Sequence, residues 1–406
     1  KRLDRVFGVR LVSPEDLAKF EGILMGQAGK GFGEFNPKRF FGDSRQPLTF
    51  CHFLEGIGEE PVYDQIHELS VLQKILDQAL DEYNESNAQM DLVLFEDALN
   101  HVCRITRIIN NPSGHALLVG VGGSGKKSLS RLASFICGYQ TSTIQISATY
   151  GINDLKTDLQ EMYKKAGIKG EGVMFLFTDA EITNERFLVY LNDLLGSADI
   201  AGLYAQDEKD EVIGSVTKKA KAAGFAPEPG PVYDFFLQEV RRNLHVCLCC
   251  SPVGPDFSTR CQRFPALVNC TVIDWFQPWP EQALYSVGCK FLEAIEDLGG
   301  DAVRAQLQTF MPELAGSTNA MATTFKQMEG RFVYTTPKSY LELLKLYSEL
   351  LARKRAENDT ASLRLQNGIK KLEETTAVVD VLKESIAGDV ADAEEKKATS
   401  DKIAKA

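Results

Sequence analysis

The chain has 406 residues, 44% of them hydrophobic and 25% charged, and a formal net charge of −11 at pH 7. That length supports two or three structural units with a full core, and the acidic balance argues against a phosphate-backbone binder, whose affinity rests on clustered Lys and Arg. No run reaches the roughly eighteen apolar residues that a membrane-crossing helix needs, so neither nucleic acid nor membrane is expected as a partner.

The opening KRLDRVFGVRL lacks Met and the apolar core of a signal peptide, and reads as an internal piece of a longer protein. Residues 1–68 show no strong hydrophobic period. They contain GQAGKGFGEF from Gly26, which superficially resembles a phosphate loop. No apolar strand precedes it and no Ser or Thr follows Lys30, so it is read as linker. From Leu69 to Ile109 apolar residues recur at helical spacing, predicting two helices interrupted between Asn84 and Met90. NNPSG, Asn110 to Gly114, stops the second.

Strands and helices then alternate: ALLVG, the helix SLSRLASFICG, the strand TIQIS, a helix around Asp154 to Ala166, and the strand VMFLF. Asp207 to Pro231 reads as an irregular insertion, after which come the helix VYDFFLQEVRRN and the strand LHVCLCC. This alternation predicts parallel strands with crossover helices. Cys247, Cys249 and Cys250 lie on one apolar strand whose adjacent residues face opposite sides, so they are read as buried thiols of a reducing, cytosolic compartment rather than a metal site. Beyond WFQPWP, Trp275 to Pro280, only helices are expected, as a small helical lid.

Leu341 to Ala406 is highly charged and free of proline, predicting one exposed helix of roughly 100 Å. A heptad seam runs through Leu341, Leu344, Ser348, Leu351, Leu365, Ile369, Leu372, Thr376, Val379, Lys383, Ile386, Val390 and Ala393. Its polar and small members specify register weakly.

The strongest chemical signal is GVGGSGKKS, Gly120 to Ser128, between a strand and a helix. Glycines let the backbone curl so that N–H groups point inward, and the following helix N-terminus adds positive charge, so the loop cradles phosphate. Gly120, Gly122, Gly123, Ser124, Gly125, Lys126, Lys127 and Ser128 are the candidate nucleotide-binding residues, with Lys126 reaching the terminal phosphates. The place after that lysine should carry a hydroxyl for Mg²⁺. Here it is Lys127, and Ser128 comes one residue, about 100° of helix, too late.

The second element should be an apolar strand ending in Asp-Glu, one acid for Mg²⁺ and one for the attacking water. VMFLFTDAEI supplies Asp179 alone. Either Ala180 replaces the catalytic Glu or Thr178 replaces the metal-side acid, and Glu181 substitutes only if the loop bends. Ser128 and Asp179 are the candidate Mg²⁺ ligands. Losing one positioned charge costs turnover more than binding.

The segments LVLFEDALNHVCRITRIINNPSGHALLVGVGGSGKKSLSRLASFICGY, SPVGPDFSTRCQRFPALVNCTVIDWFQPWPEQAL and FVYTTPKSYLELLKLYSELL together resemble the fourth AAA+ module of a dynein heavy chain, of the axonemal branch. The resemblance implies an α/β P-loop NTPase fold: a parallel sheet with crossover helices, a small helical lid, then a long coiled-coil helix. It divides the chain into the end of the preceding module and a linker (1–68), the large α/β subdomain (69–274), the small helical subdomain (275–340) and the first stalk helix (341–406). It implies ATP or ADP as ligand, Arg260 as a finger toward the nucleotide of the preceding module, Lys338 as a lid sensor, and Ser251 where a sensor Asn is usual. It favours Asp179 at the Glu position and Thr178 at the metal-side position. Its implied partners are neighbouring AAA+ modules, a microtubule through a distal stalk tip absent from this chain, and intermediate and light chains through the parent. Its implied location is the cytoplasm and the axoneme of a cilium or flagellum. Lys127, Thr178 and Ser251 all point to a regulatory nucleotide holder within a minus-end-directed motor; the alternative is an independently hydrolysing ATPase module.

Overall fold

Five short strands, largely apolar except for the edge strand β4, form one parallel sheet: β3 (Ala116–Gly120), β4 (Gln140–Ser142), β5 (Val173–Thr178), β6 (Leu244–Cys250) and β7 (Val272–Phe276), in the spatial order β4-β5-β6-β3-β7. Every residue of β3 and β5 is buried, as expected when helices cover both faces. The structure, a computed structural model, describes residues 11, 13–32, 49–54, 56–58, 62–90, 92–147, 149–296, 298–331 and 333–404. The opening segment read as the end of a preceding module lies almost wholly outside them.

Alternation along the strands divides the core in two. Leu117, Val119, Val173, Phe175, Phe177, Leu244, Val246 and Leu248 face one layer; Ala116, Leu118, Met174, Leu176, Cys247 and Cys249 face the other. The second layer is covered by α2 (Leu69–Ser86), α3 (Glu96–Ile109) and α4 (Lys126–Ile136). The first is covered by α5 (Ile152–Tyr163) with its π-turn Lys164–Lys169, then α6 (Phe187–Gly196), α7 (Gln206–Ala222) and α8 (Pro229–Asn243). The cysteine trio divides as the strand period requires, with Cys247 and Cys249 buried together on one face.

Three predicted elements need correction. Within 1–68, read as linker, Pro14–Gly31 is a helix (α1), helped by a proline at its start and by Glu15 and Asp16 in its first turn. The predicted strand TIQIS is not one; pairing with β5 covers Gln140–Ser142 and ends there. The supposed irregular insertion is largely α7, whose Val212, Val216 and Ala220 bury a narrow i, i+4, i+8 stripe. A strand unread in the sequence, β7, pairs with β3 from Ala116↔Val272 to Gly120↔Phe276. A two-stranded ribbon, β1 (Phe50–Cys51) and β2 (Asp64–Gln65), packs beside α3.

Past β7 only helices follow, as expected: α9 (Asp256–Arg263) and α10 (Ala266–Asn269) lie before it, and α11 (Glu281–Glu293), α12 (Asp301–Glu329) and α13 (Pro337–Ala404) after it. Tyr340 anchors the start of α13, its hydroxyl donating to Leu284 O at 2.9 Å. The chain forms two units, residues 1–340 and 341–406. The second is α13 from Leu341, unbroken as predicted, with every residue from 356 to 400 exposed, including the seam members Leu365, Ile369, Leu372, Val379, Ile386 and Val390. Among the described residues, no helix is long and apolar enough to cross a membrane.

Candidate functional site

In a parallel sheet, ligands gather at the carboxyl ends of the strands, where the order reverses. Here β3 ends in the glycine loop, β5 in Asp179 and β6 in Ser251, and the register sets Thr178 opposite Cys249 and Val119 opposite Cys250. The candidate residues from three separate stretches of sequence therefore converge at one edge.

The loop is built on absent side chains. A Cβ on Gly120 would stand 2.6 Å from the Cβ of Phe276 and 3.2 Å from Ser124 Oγ. Gly123 and Gly125 hold φ of +77° and +88°, a region L side chains rarely enter, and Gly125 caps the N-terminus of α4. Gly122 is open, with nothing near its Cβ position. Lys126 leads α4 and folds back into the curl: its ammonium donates to Gly120 O (2.7 Å), Val121 O (2.8 Å) and Ser124 Oγ (3.1 Å). Ser124 Oγ donates in turn to Val121 O at 2.9 Å. Burial lowers the Lys126 pKa, with Cys249 and Asp179 acting in the opposite direction. The first-turn N–H groups of α4, which a helix start leaves without intrahelical acceptors, and this ammonium, which donates within the loop here, are the donors a phosphate chain would engage. Lys338, second in α13, closes over it, its Cβ 2.4 Å from where a Gly123 Cβ would be.

The acidic strand is less accommodating to a metal. Asp179 turns its Oδ2 to accept from Ser251 N at 2.9 Å and its Oδ1 to accept from Ala180 N at 3.0 Å. The loop does bend: a 3₁₀ turn, Asp179–Glu181, brings Glu181 back so that its Oε2 accepts from Thr178 N at 2.8 Å. Its Oε1 lies 3.6 Å from the Lys127 ammonium. Lys127, standing where the metal-binding hydroxyl belongs, is thus ion-paired. Ser128 follows it, half-buried, at the next helical position. A hard divalent cation wants several oxygen ligands in near-octahedral array, and these residues, an ammonium and a carboxylate engaged by backbone N–H groups, do not fit it. Thr178 Oγ1 and Arg260 Nε are buried without partners, and a cavity of about 90 Å³ is lined by Thr178, Asp179, Cys250, Ser251, Asp256 and Arg260 among others. Arg260 therefore stands beside Asp179 of its own chain. Burial pushes the Cys250 thiol up to about 12, so it stays protonated.

One set of residues behind the loop was missed in the sequence. Asp274, on β7 and 1% exposed, accepts from Arg104 Nη1 at 2.7 Å and sits 2.6 Å from His101 Nδ1. Burial alone would raise its carboxyl, but His101 and Arg104 outweigh burial and hold it below its ordinary range. The His101 ring stacks on Phe276, centroids 3.9 Å apart, and Phe276 is the residue against which Gly120 packs. The one signal was a charge inside the otherwise apolar VIDWF.

A family model described as the P-loop containing dynein motor region D4 matches residues 90–350. The chain is 48% identical over 398 residues to the dynein alpha chain of the flagellar outer arm of Chlamydomonas reinhardtii. It is 44% identical over 400 residues to human dynein axonemal heavy chain 17, and 44% over 399 to the ciliary dynein beta chain of Tripneustes gratilla. Each alignment covers 98% of this chain and 9% of the relative. With the glycine loop following β3, Asp179 following β5 and Ser251 following β6 in one parallel sheet, the chain belongs to the axonemal dynein heavy-chain family, within which it carries the P-loop motor region D4.

Proposed function

We propose that this chain is a nucleotide-holding regulatory module of a microtubule motor, binding ATP or ADP at Gly120–Ser128 and hydrolysing it slowly or not at all. The observation that carries this reading is the state of Asp179, the one acid at the end of β5, whose two oxygens accept from the backbone N–H groups of Ser251 and Ala180. Each oxygen keeps a second lone pair, but these two bonds fix the carboxylate toward the Ser251 and Ala180 backbone, so it is not free to turn toward an attacking water. Binding would use the glycine curl, the Lys126 ammonium, which would exchange its bonds within the loop for the phosphates, and Lys338, whose Cβ packs against Gly123.

In this reading residues 69–274 and 275–340 are the large and small subdomains and 341–406 begins the stalk. The nucleotide state biases neighbouring modules of the parent chain, with Arg260 reaching toward the preceding module's nucleotide when the ring is assembled. The parent moves toward microtubule minus ends in the axoneme of a cilium or flagellum, the stalk leading to a distal microtubule-binding tip and other subunits joining through the parent. The supporting facts are the flagellar, axonemal and ciliary relatives and the exposed apolar seam of α13.

The test is calorimetric titration of ATP and ADP into the chain and its Lys126→Ala variant. Saturable binding that weakens by about tenfold or more in the variant is expected for loss of a charge-assisted contact. Absence of binding, or binding indifferent to Lys126, would refute the reading.

A further inference from the structure

Lys127 occupies the motif position of the metal-binding hydroxyl and pairs with Glu181, just past the end of β5, and the two ends of the pair are unequal. Glu181 is fixed: its side chain is 14% exposed and its second oxygen accepts from Thr178 N at 2.8 Å. Lys127 is the more exposed end, 51% exposed on the first turn of α4, one residue after the buried Lys126. Half-exposed ion pairs of this kind contribute little, so a polyphosphate carrying several negative charges displaces the carboxylate readily. A lysine ammonium supplies compact charge on a flexible stem and imposes none of the coordination geometry of a divalent metal.

Resting on the nucleotide-holding reading above, we propose that Lys127 takes the place of the divalent cation: the loop binds nucleoside di- and triphosphates free of metal, and Glu181 competes with the phosphates for the Lys127 ammonium. Binding then moves Lys127 from Glu181 to the phosphate chain without a metal entering or leaving. Glu181 stays tied to the end of β5, so its change of partner occurs beside Thr178 and Asp179, at the junction of β5 with the Ser251 backbone. The bound nucleotide is thereby sensed by the strand end that in a hydrolysing site would carry the metal.

The experiment is calorimetric titration of ATP and ADP into the full 406-residue chain, once with excess Mg²⁺ and once with EDTA, for the unaltered chain and for Lys127→Thr and Glu181→Gln. The unaltered chain is expected to bind within about threefold in the two buffers, well under the tenfold that one strong contact is worth. Glu181→Gln should bind about two- to fivefold tighter, the size of a half-exposed ion pair. Lys127→Thr should lose about tenfold in EDTA and recover in Mg²⁺, having regained the metal-side hydroxyl. Binding by the unaltered chain that falls more than about tenfold in EDTA overturns the inference and leaves the nucleotide-holding reading standing. Binding in neither buffer overturns both. Weaker binding by Glu181→Gln, with an unchanged melting temperature, overturns the competition.

Discussion

Gly123 lies directly against Lys338: a side chain on the glycine would meet the lysine Cβ at 2.4 Å and its backbone N at 3.3 Å. The loop and the start of α13, more than two hundred residues apart in sequence, fit only because Gly123 has no Cβ and holds φ of +77°. Gly123→Ala has to displace Lys338 and strain the backbone, which together cost about 1–3 kcal/mol. The expected result is a lower melting temperature and nucleotide affinity reduced by about tenfold, read by thermal unfolding and calorimetry.

The ionic cluster behind the loop gives a second prediction. Asp274→Ala leaves Arg104 and His101 facing an apolar strand without their carboxylate. With Arg104 41% exposed and able to be hydrated, losing the carboxylate costs about 1–3 kcal/mol, whereas Asp274→Asn keeps hydrogen-bond acceptance and is expected to cost less. Thermal unfolding of the two variants checks the order.

Acid should weaken the sheet through His115. This residue, 4% exposed, accepts the Val246 N–H at its Nδ1 at 3.0 Å, and burial, aided by His245, lowers its pKa from 6.5 to about 4. Between those values the unfolded chain binds the proton and the folded chain does not. Stability from this group is therefore full above pH 6.5 and falls as pH drops toward about 4, by up to about 3 kcal/mol. Denaturation midpoints followed across that window should fall for the unaltered chain and fall less for His115→Asn.

Much of this architecture is legible in the sequence because β3, β5 and β6 are largely apolar runs ending at loops, and because Gly120, Gly125 and Lys126 keep the spacing of a phosphate loop between a strand and a helix. What escaped reading had weaker local signals. The α1 segment is rich in glycine, which lowers helix propensity, and α7 buries one residue per turn amid charges. β7 carries Asp274, and a buried charge is recognisable only once its partners, some 170 residues earlier, are placed beside it. The return of Glu181 to Lys127 likewise depends on a 3₁₀ turn that DAE does not announce. Spacing put a lysine, Lys127, where a metal-binding hydroxyl is expected, and three-dimensional packing supplied its partner.

The central claim is that the loop keeps its nucleotide rather than turning it over. It is tested most directly by single-turnover measurement, with the 406-residue chain in excess over labelled ATP and the products resolved with time. With Asp179 held by Ser251 N and a lysine, Lys127, where a metal-binding hydroxyl is expected, ATP should be recovered intact from the bound fraction, with any hydrolysis far below ~1 s⁻¹, the slow end of ordinary enzyme turnover. Hydrolysis at ~1 s⁻¹ or faster that disappears in Lys126→Ala would contradict the account and make this module an engine in its own right.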